Sequence, residues 1–510
     1  MNLPAVLSRR RPSRRLVLTG AAAASTAALP FVLDPPYALA VAGLVLIAFI
    51  GLSWRAAARI KRLRRDIAAK HAATDLLRTR AEQSFSESGD DRRARRILQS
   101  LAGGFPYSAV KEARSFASQT KIPFADRLAL LRSVEAWQLE TEQAQLAAPK
   151  RSVFDVVFIS HCGLPGGNTS ANTAEIGICR DLGLKVGLLH HPVYQWDPNA
   201  PLNPRIEELI DGESVRLIGF DDEVECALAV VRPPISLMHP LERRPRITAG
   251  RTVVIANQTP FKFYGAEGPR DAAWDIATVE RNVTDWLGAH TWYAGGPLVR
   301  ATLHEHHAEE IADLDLAPEP WNEVIELDRW RLDERRVPDG RIRIGRHSRD
   351  HKLKWPEHRE TLLACYPDRE PFEIHVLGGA EIPARLLDGL PENWTVHPFN
   401  SLTARDFLAG IDVMAYFIAS DGMEAFGRAP LEAMAAGVPV IMDRRFAPTF
   451  GPAAVYCEPD EVAAVAERLT ADPDAYAAQQ EAAWSHLADR FSGKSLMDRL
   501  PLPAVASGPA

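Results

Sequence analysis

The sequence predicts an α/β protein with two domains of parallel sheet, preceded by a basic and apolar N-terminal region. Three observations predict it. From Val153 onward, short buried runs of Val, Ile and Leu alternate with helical stretches, the texture of successive βαβ units. Within that region one unit is complete: strand Ile411 to Ile418, a loop from Ser420, a helix with its apolar face at Leu431, Met434 and Ala435 closed by Gly437, and strand Val438 to Met442. Charge, finally, is unevenly divided. Residues 1–100 hold 18 Lys/Arg against 7 Asp/Glu, a net of +11, while the whole chain is −7, so residues 101–510 carry −18.

At 510 residues the chain has room for two or three domains with ample core. Its apolar fraction of 46% and charged fraction of 25% are those of ordinary globular protein and exclude general disorder. A basic N-terminus on an acidic body points to a membrane surface and away from nucleic acid. The five cysteines (Cys162, Cys179, Cys226, Cys365, Cys457) form no C-x-x-C pair, which suits a reducing compartment without structural zinc.

In order, residues 1–15 are a basic N-terminus with Arg9, Arg10, Arg11, Arg14 and Arg15. Residues 16–54 are an apolar membrane segment: two uncharged stretches of 18 residues, Leu16 to Leu33 and Tyr37 to Trp54, flank Asp34-Pro35-Pro36. Arginines return at Arg55, Arg59, Arg62, Arg64 and Arg65, so the expectation is a helical hairpin with both ends on the cytoplasmic side. That expectation puts the chain on the inner membrane with the domains that follow in the cytoplasm. Ser13-Arg14-Arg15-Leu16 faintly resembles a twin-arginine export signal, so a signal sequence or single span competes, as does a soluble apolar arm. Residues 55–150 read as a helical segment, broken at Gly103-Gly104-Phe105-Pro106 and Lys121-Ile122-Pro123, with no chemistry in it. Its run Arg92-Arg93-Ala94-Arg95-Arg96 reads as a solvated face, with anionic lipid as the alternative.

The first α/β domain is expected over residues 151–338. Val153 to Ser160, Lys185 to Leu189, Val215 to Ile218, Ala227 to Val231, Thr252 to Ala256 and Thr291 to Tyr293 read as strands, with a helix at Ala174 to Leu182. The loop His161-Cys162-Gly163-Leu164-Pro165-Gly166-Gly167-Asn168 follows the first strand, where paired glycines let a ligand approach the backbone; a plain turn explains it equally well. His304-Glu305-His306-His307 lacks H-E-x-x-H spacing and sits in a polar helical stretch, so no metal is assigned to it. Asp313-Leu314-Asp315 is read as a surface turn because no apolar strand leads into it.

The second domain is expected over residues 339–490, with a tail at 491–510. Arg341 to Ile344, Phe372 to Leu377 and Thr395 to His397 read as strands. After the first of them comes a cationic loop with Arg346 and either Lys352 or Lys354. Glu424 and Glu432 bracket the loop and first turns of the helix in the complete βαβ unit. Unpaired amides of Phe426, Gly427, Arg428 and Ala429 point at the same space, which suits a phosphate. In an open parallel sheet the strand ends and helix N-termini share one edge, so cations and carboxylates would meet across one crevice. Arg suits bidentate phosphate contact and Lys a mobile point charge. A solvated basic loop is the bland alternative.

Glu424-Ala425-Phe426-Gly427-Arg428-Ala429-Pro430-Leu431-Glu432-Ala433-Met434-Ala435-Ala436-Gly437-Val438-Pro439-Val440 resembles the E-G-F-G-x-x-x-x-E-A-M-A-x-G-x-P-V signature of retaining GT-B glycosyltransferases of family 4, with Ala425 in place of the usual glycine. Gly345-Arg346 with a following lysine is similar to that family's G-R-(loop)-K, and Gly166-Gly167 to its N-terminal glycine loop. The resemblance covers residues 151–490 and is thin before 340. It implies a GT-B fold, two Rossmann-like domains facing a cleft, and transfer of a sugar from a nucleotide-sugar donor to a glycan or lipid-linked acceptor with retained anomeric configuration. It further implies that Glu424 contacts the donor sugar, that Glu432 accepts from the ribose hydroxyls, and that Arg346 and Lys354 (or Lys352) oppose charge on the departing diphosphate. Helix amides and two cations supply that stabilisation without a metal, so no cofactor is expected.

One departure stands out. Many members carry a histidine after the strand aligned with Thr252 to Ala256, and here Asn257-Gln258 follows. An amide cannot shuttle a proton at neutral pH; His161 or His190-His191 could substitute if they face the cleft. Two other readings compete with a membrane-attached transferase: a nucleotide-sugar epimerase on the same fold, and a non-catalytic membrane scaffold with a degenerate transferase body.

Overall fold

In this computed structural model the described residues are 89–146, 150–164, 166–193, 201–334, 336, 339–399 and 401–500. Packing divides the chain into Met1–Arg92 and Arg93–Ala510, and apart from residues 89–92, the first turn of a helix, the second unit holds everything described below. The expected hairpin at 16–54 and the helix from 55 to 88 lie outside the described residues. Among the described residues no helix is long and apolar enough to cross a membrane.

Helices α1 (Gly89–Ala102), α2 (Pro106–Ala117) and α3 (Phe124–Leu146) break at the two Pro-containing turns anticipated from sequence. Ile97, Leu101, Ala109, Ala113, Phe116, Ile122, Leu130 and Val134 form their own small core. Glu242 ties this layer to the next domain by accepting from the amides of Tyr107 (2.7 Å) and Ser108 at the start of α2, where a carboxylate is favoured.

The first sheet contains β1 (Arg151–Ser160), β2 (Val186–His190), β3 (Val215–Leu217), β4 (Glu223–Val231), β5 (Arg246–Ala256) and β8 (Thr291–Ala294), in the order β3-β2-β1-β4-β5-β8 and parallel throughout. Helix α4 (Gly167–Asp181) links β1 to β2 and begins seven residues before the sequence estimate, directly at the paired glycines. The antiparallel hairpin of β6 (Phe261–Gly265) and β7 (Gly268–Ala272) stands outside the sheet and was not anticipated. Helices α5 (Ile276–Leu287) and α6 (Pro297–His306) flank β8.

The second sheet contains β9 (Ile342–His347), β10 (Phe372–Leu377), β11 (Trp394–His397), β12 (Val413–Tyr416), β13 (Val440–Met442) and β14 (Val455–Tyr456) in the order β11-β10-β9-β12-β13-β14, again all parallel. Each order is the doubly wound one whose strand order reverses beside its first strand, and ligands bind at such reversals outside the carboxyl ends of the strands. Central strands carry near-continuous apolar runs such as Val156-Val157-Phe158-Ile159 and Val413-Met414-Ala415-Tyr416, all buried, because helices cover both faces. Helix α7 (Arg359–Cys365) lies against one face of the second sheet, and α10 (Arg428–Ala436) against the other, after α8 (Glu381–Leu387) and α9 (Ala404–Leu408). Beyond β14 come α11 (Val462–Ala471), α12 (Pro473–Arg490) and α13 (Gly493–Met497).

The placement of 491–510 in a tail is corrected in part. Leu496 and Leu500 are buried in the core of the first domain with Ile178 and Trp321, and Arg499 donates to the Asn322 carbonyl at 2.7 Å. The chain therefore returns to its first domain after finishing the second. One leucine in a short helix and a second just beyond it give too little periodicity for sequence to announce that return.

Candidate active site

The loop after β12 delivers Glu424 to the carboxyl edge of the second sheet. Glu357 fixes the start of that loop, accepting from the Ser420 amide at 3.1 Å, and Arg445 holds the Ala419 carbonyl at 3.1 Å. Gly427 caps α10 with φ 103°, a conformation that only glycine adopts without strain. The first intrahelical bond runs from Leu431 N to Gly427 O (3.1 Å), so the amides of Arg428 and Ala429 precede it, and Pro430 has none to satisfy. Phe426 itself is buried between Phe450 and Phe491, which leaves its backbone as the part that faces the loop.

Glu424 forms an ion pair with Lys354 and accepts from the Tyr416 hydroxyl at 2.6 Å. Burial opposes its ionisation. The Lys354 ammonium and the hydrogen bonds from Lys354 and Tyr416, with Arg346 behind them, outweigh that and hold the carboxyl below the usual range. Lys354 thus lies at the acid, whereas Lys352 sits 4.9 Å from the Phe263 ring centroid. The sequence left these two lysines unresolved, and the structure brings only Lys354 to Glu424.

Arg346 departs from its expected place. It is on β9, not on the loop after it, because β9 runs three residues beyond Ile344. Its exposure is 0%. One guanidinium nitrogen donates to the Tyr366 hydroxyl (2.9 Å) and the Phe417 carbonyl (3.0 Å), another to the Lys354 carbonyl. The group lies 4.6 Å from the Trp355 ring and 4.7 Å from the Tyr416 ring. It therefore lies beside the acid-bearing turn, with its two terminal nitrogens holding the Lys354 loop against the sheet and its Nε buried without a partner.

Glu432 is buried on α10. His347 Nε2 approaches one of its oxygens at 3.1 Å and Arg428 Nε donates to the other at 3.0 Å. Burial opposes its charge; its hydrogen bond with His347 and the charge of Arg428 together outweigh that, so its carboxyl is also held low. His347, directly after Arg346, was missed from sequence; its Nδ1 is buried without a partner. Arg428 reaches onward to the Val324 carbonyl (2.9 Å) and Glu323 (3.4 Å). Burial raises Glu323 to about 7 despite the nearby charges of Arg428 and Arg232, with Glu175 adding to the rise. An acid whose pKa is raised on folding stabilises the protein below its unfolded value of 4.5 and loses that contribution as pH rises towards about 7. Glu323→Gln is therefore expected to abolish the part of the fall in Tm between about pH 5 and about pH 7.5 that this acid causes, checked by thermal melts of both proteins across that range.

On the first domain, Gly166 and Gly167 open α4 with clear space where a side chain would stand. Asn257, at the end of β5, donates to Asn168 Oδ1 (3.1 Å), whose own amide donates to Ser160 Oγ (3.3 Å). Asn172 also donates to Ser160 (2.7 Å) and accepts from buried Arg232 (3.3 Å), which is paired with Glu175 at 2.7 Å. The histidines do not replace the missing proton shuttle. Gly163 N donates to His161 Nδ1 and Cys162 N to His190 Nδ1, each at 3.1 Å, so the neutral rings carry their proton on Nε2. Burial lowers both pKa values, that of His190 to about 4 with help from the neighbouring histidines. His191 is buried against Trp286, its Nδ1 3.1 Å from the Pro192 carbonyl.

Among the described residues no group of His, Cys, Asp or Glu is arranged to hold a metal. His307 instead meets the Tyr264 hydroxyl (3.0 Å) and Glu310. Asp315 accepts from Thr291 at 2.8 Å in a turn beside β8.

No family model matches the chain, and no curated protein sequence is similar to it. Solved structures overlap it weakly. The Anabaena protein HepE in complex with UDP and glucose is 12% identical, with 68% of this chain and 98% of that one covered at a TM-score of 0.46. A glycosyltransferase from Rickettsia africae is 14% identical over 68% and 96% of the two chains, TM-score 0.46. WaaG, a glycosyltransferase involved in lipopolysaccharide biosynthesis, is 14% identical over 68% and 100%, TM-score 0.43.

Proposed function

We propose that the chain is a retaining GT-B glycosyltransferase that moves a sugar from a nucleotide-sugar donor to a glycan or lipid-linked acceptor. The observation that carries this is the meeting of Lys354 and Glu424 beside the open amides of α10, with Glu432 eight residues further on. Such a site offers a fixed ammonium and helix amides to a diphosphate, and carboxylates to sugar and ribose hydroxyls. The anomeric C–O bond breaks with its electron pair passing to the diphosphate oxygen. Lys354 and the amides of Gly427, Arg428 and Ala429 oppose the charge that grows there. The acceptor oxygen then bonds to the same face of the sugar, and its proton passes to the departing diphosphate. That path needs no protein base, in keeping with Asn257 at the position where the similar family carries a histidine. In this reading Glu424 exchanges Lys354 for a donor hydroxyl as the diphosphate takes the ammonium.

The same reading makes the reaction independent of a divalent ion and attaches the chain to the inner membrane through residues 16–54. The test is turnover of a panel of UDP-, GDP-, ADP- and CMP-sugars by the full chain, with and without EDTA. Nucleotide release from one donor class, with product of unchanged anomeric configuration by NMR, is the expected result. Release from none removes the proposal, and epimerised free donor would favour an epimerase. The commitment of Arg346 to structural contacts favours a second reading, the non-catalytic scaffold; retention of the cellular role by Glu424→Gln would support it.

A further inference from the structure

The hairpin β6–β7 belongs to the first domain but pairs with the second. Phe263 bridges antiparallel to Gly422. Tyr264 N donates to the Asp421 carbonyl at 3.1 Å, and Met423 N lies 3.4 Å from the Lys262 carbonyl. Arg270, on the opposite strand of the hairpin, forms an ion pair with the Asp421 side chain. A Cβ on Gly265 would stand 2.5 Å from Asp421 Cβ, so the approach leaves no room for a side chain there. The residues gripped in this way, Asp421, Gly422 and Met423, immediately precede Glu424.

The same hairpin reaches the cationic loop. Phe263 is flanked by Arg270, 4.2 Å from its ring centroid, and by Lys352 at 4.9 Å. Lys352 stands two residues before Lys354. Gly422 closes the arrangement, since a Cβ there would meet Leu353 at 3.1 Å. One short hairpin therefore abuts both segments that bring Lys354 to Glu424. Its own footing on the first domain is firm: Tyr264 meets His307, the Phe261 ring stacks on His307 at 5.8 Å, and at the base of the hairpin Trp274 Nε1 donates to the Gln258 carbonyl at 3.2 Å.

We propose that β6–β7 is a positioning element for the transfer site, with Arg270 acting on Glu424 through Asp421 and Phe263 acting on Lys354 through Lys352. The role of these two end groups rests on the transferase reading above; the grip on the loops does not. The Arg270–Asp421 pair is 41% and 30% exposed, and ion pairs of that exposure contribute little to global stability. Its consequence is the placement of two loops, to which reaction rates are far more sensitive than is Tm.

The test compares the full chain with Arg270→Ala, Gly265→Ala and the charge exchange Arg270→Asp/Asp421→Arg. Amide hydrogen exchange over residues 351–355 and 420–427 is read without substrate, and kcat, donor KM and Tm are read beside it. Arg270→Ala and Gly265→Ala should raise exchange in both segments about tenfold and lower kcat about tenfold, with Tm unchanged within about 2 °C. The charge exchange should recover most of both losses. Unchanged exchange at 420–427 in both single variants, or a loss of kcat that the charge exchange leaves in place, would overturn the proposal. A wild-type chain that turns over no donor would instead remove the transferase reading, while the exchange data still decide whether the hairpin holds these loops.

Discussion

Lys354→Met is expected to lower transfer by about 10²–10³-fold, the usual loss when one preorganised group facing transition-state charge is removed. It should also destabilise the protein, because Glu424 is left buried with Tyr416 as its hydrogen-bond donor and no adjacent ammonium. Breaking one side of a buried pair costs on the order of 3–5 kcal/mol. The ion pair is 24% and 13% exposed, so the lower end of that range applies. Lys354→Met/Glu424→Gln removes the stranded charge and should recover most of the stability without recovering activity. Chemical denaturation and kcat of the four proteins in this cycle separate the two effects. A double variant that regains activity would show that Lys354 serves the fold alone.

Arg346→Lys should behave almost as badly as Arg346→Met, although it keeps the charge. A guanidinium has a planar fork that meets Tyr366, the Phe417 carbonyl and the Lys354 carbonyl together while its faces lie against Trp355 and Tyr416; an ammonium is a compact point charge. Hydrogen bonds from a charged group contribute about 1.5–3 kcal/mol each, and a desolvated cation–π contact about 2 kcal/mol. Loss of at least about 3 kcal/mol of stability is therefore expected of either variant. The Lys354 loop loses its anchor in both, so kcat should fall about 10²-fold. Donor KM should change less, because the α10 amides and Glu432 remain. Full activity in Arg346→Lys would contradict this positioning role.

How much of this was legible in the sequence depends on how local the signal is. The Glu424–Glu432 stretch lies in one loop and one helix, and strand periodicity on either side fixed where it sits on the sheet. Both parallel sheets were legible for the same reason: segments such as Phe372 to Leu377, where Phe372, Ile374, Val376 and Leu377 are apolar, are short and bounded by turn residues. The commitments of Arg346 were not, since Tyr366, Trp355, Tyr416 and Phe417 come from separate elements and no spacing rule joins them. Nor was the choice between Lys352 and Lys354, which turns on the 3₁₀ turn Lys352–Lys354 presenting one lysine to Phe263 and the other to Glu424. The β6–β7 hairpin escaped notice because it is brief, half exposed and rich in charge, although the Phe261-Lys262-Phe263 alternation bounded by Gly265 and Gly268 was a usable signal. The histidines misled in the opposite direction: residue type suggested proton transfer, whereas backbone amides occupy Nδ1 of His161 and His190, and His191 is buried with its Nδ1 at the Pro192 carbonyl.

The central claim is that a diphosphate binds between Lys354 and the start of α10. Thermal shifts of the full chain with UDP, GDP, ADP and CMP, repeated on Lys354→Met/Glu424→Gln, test it most directly. One nucleoside diphosphate should raise the Tm of the wild type and leave that of the double variant unchanged. No shift with any nucleotide, or a shift of equal size in both proteins, would contradict the account.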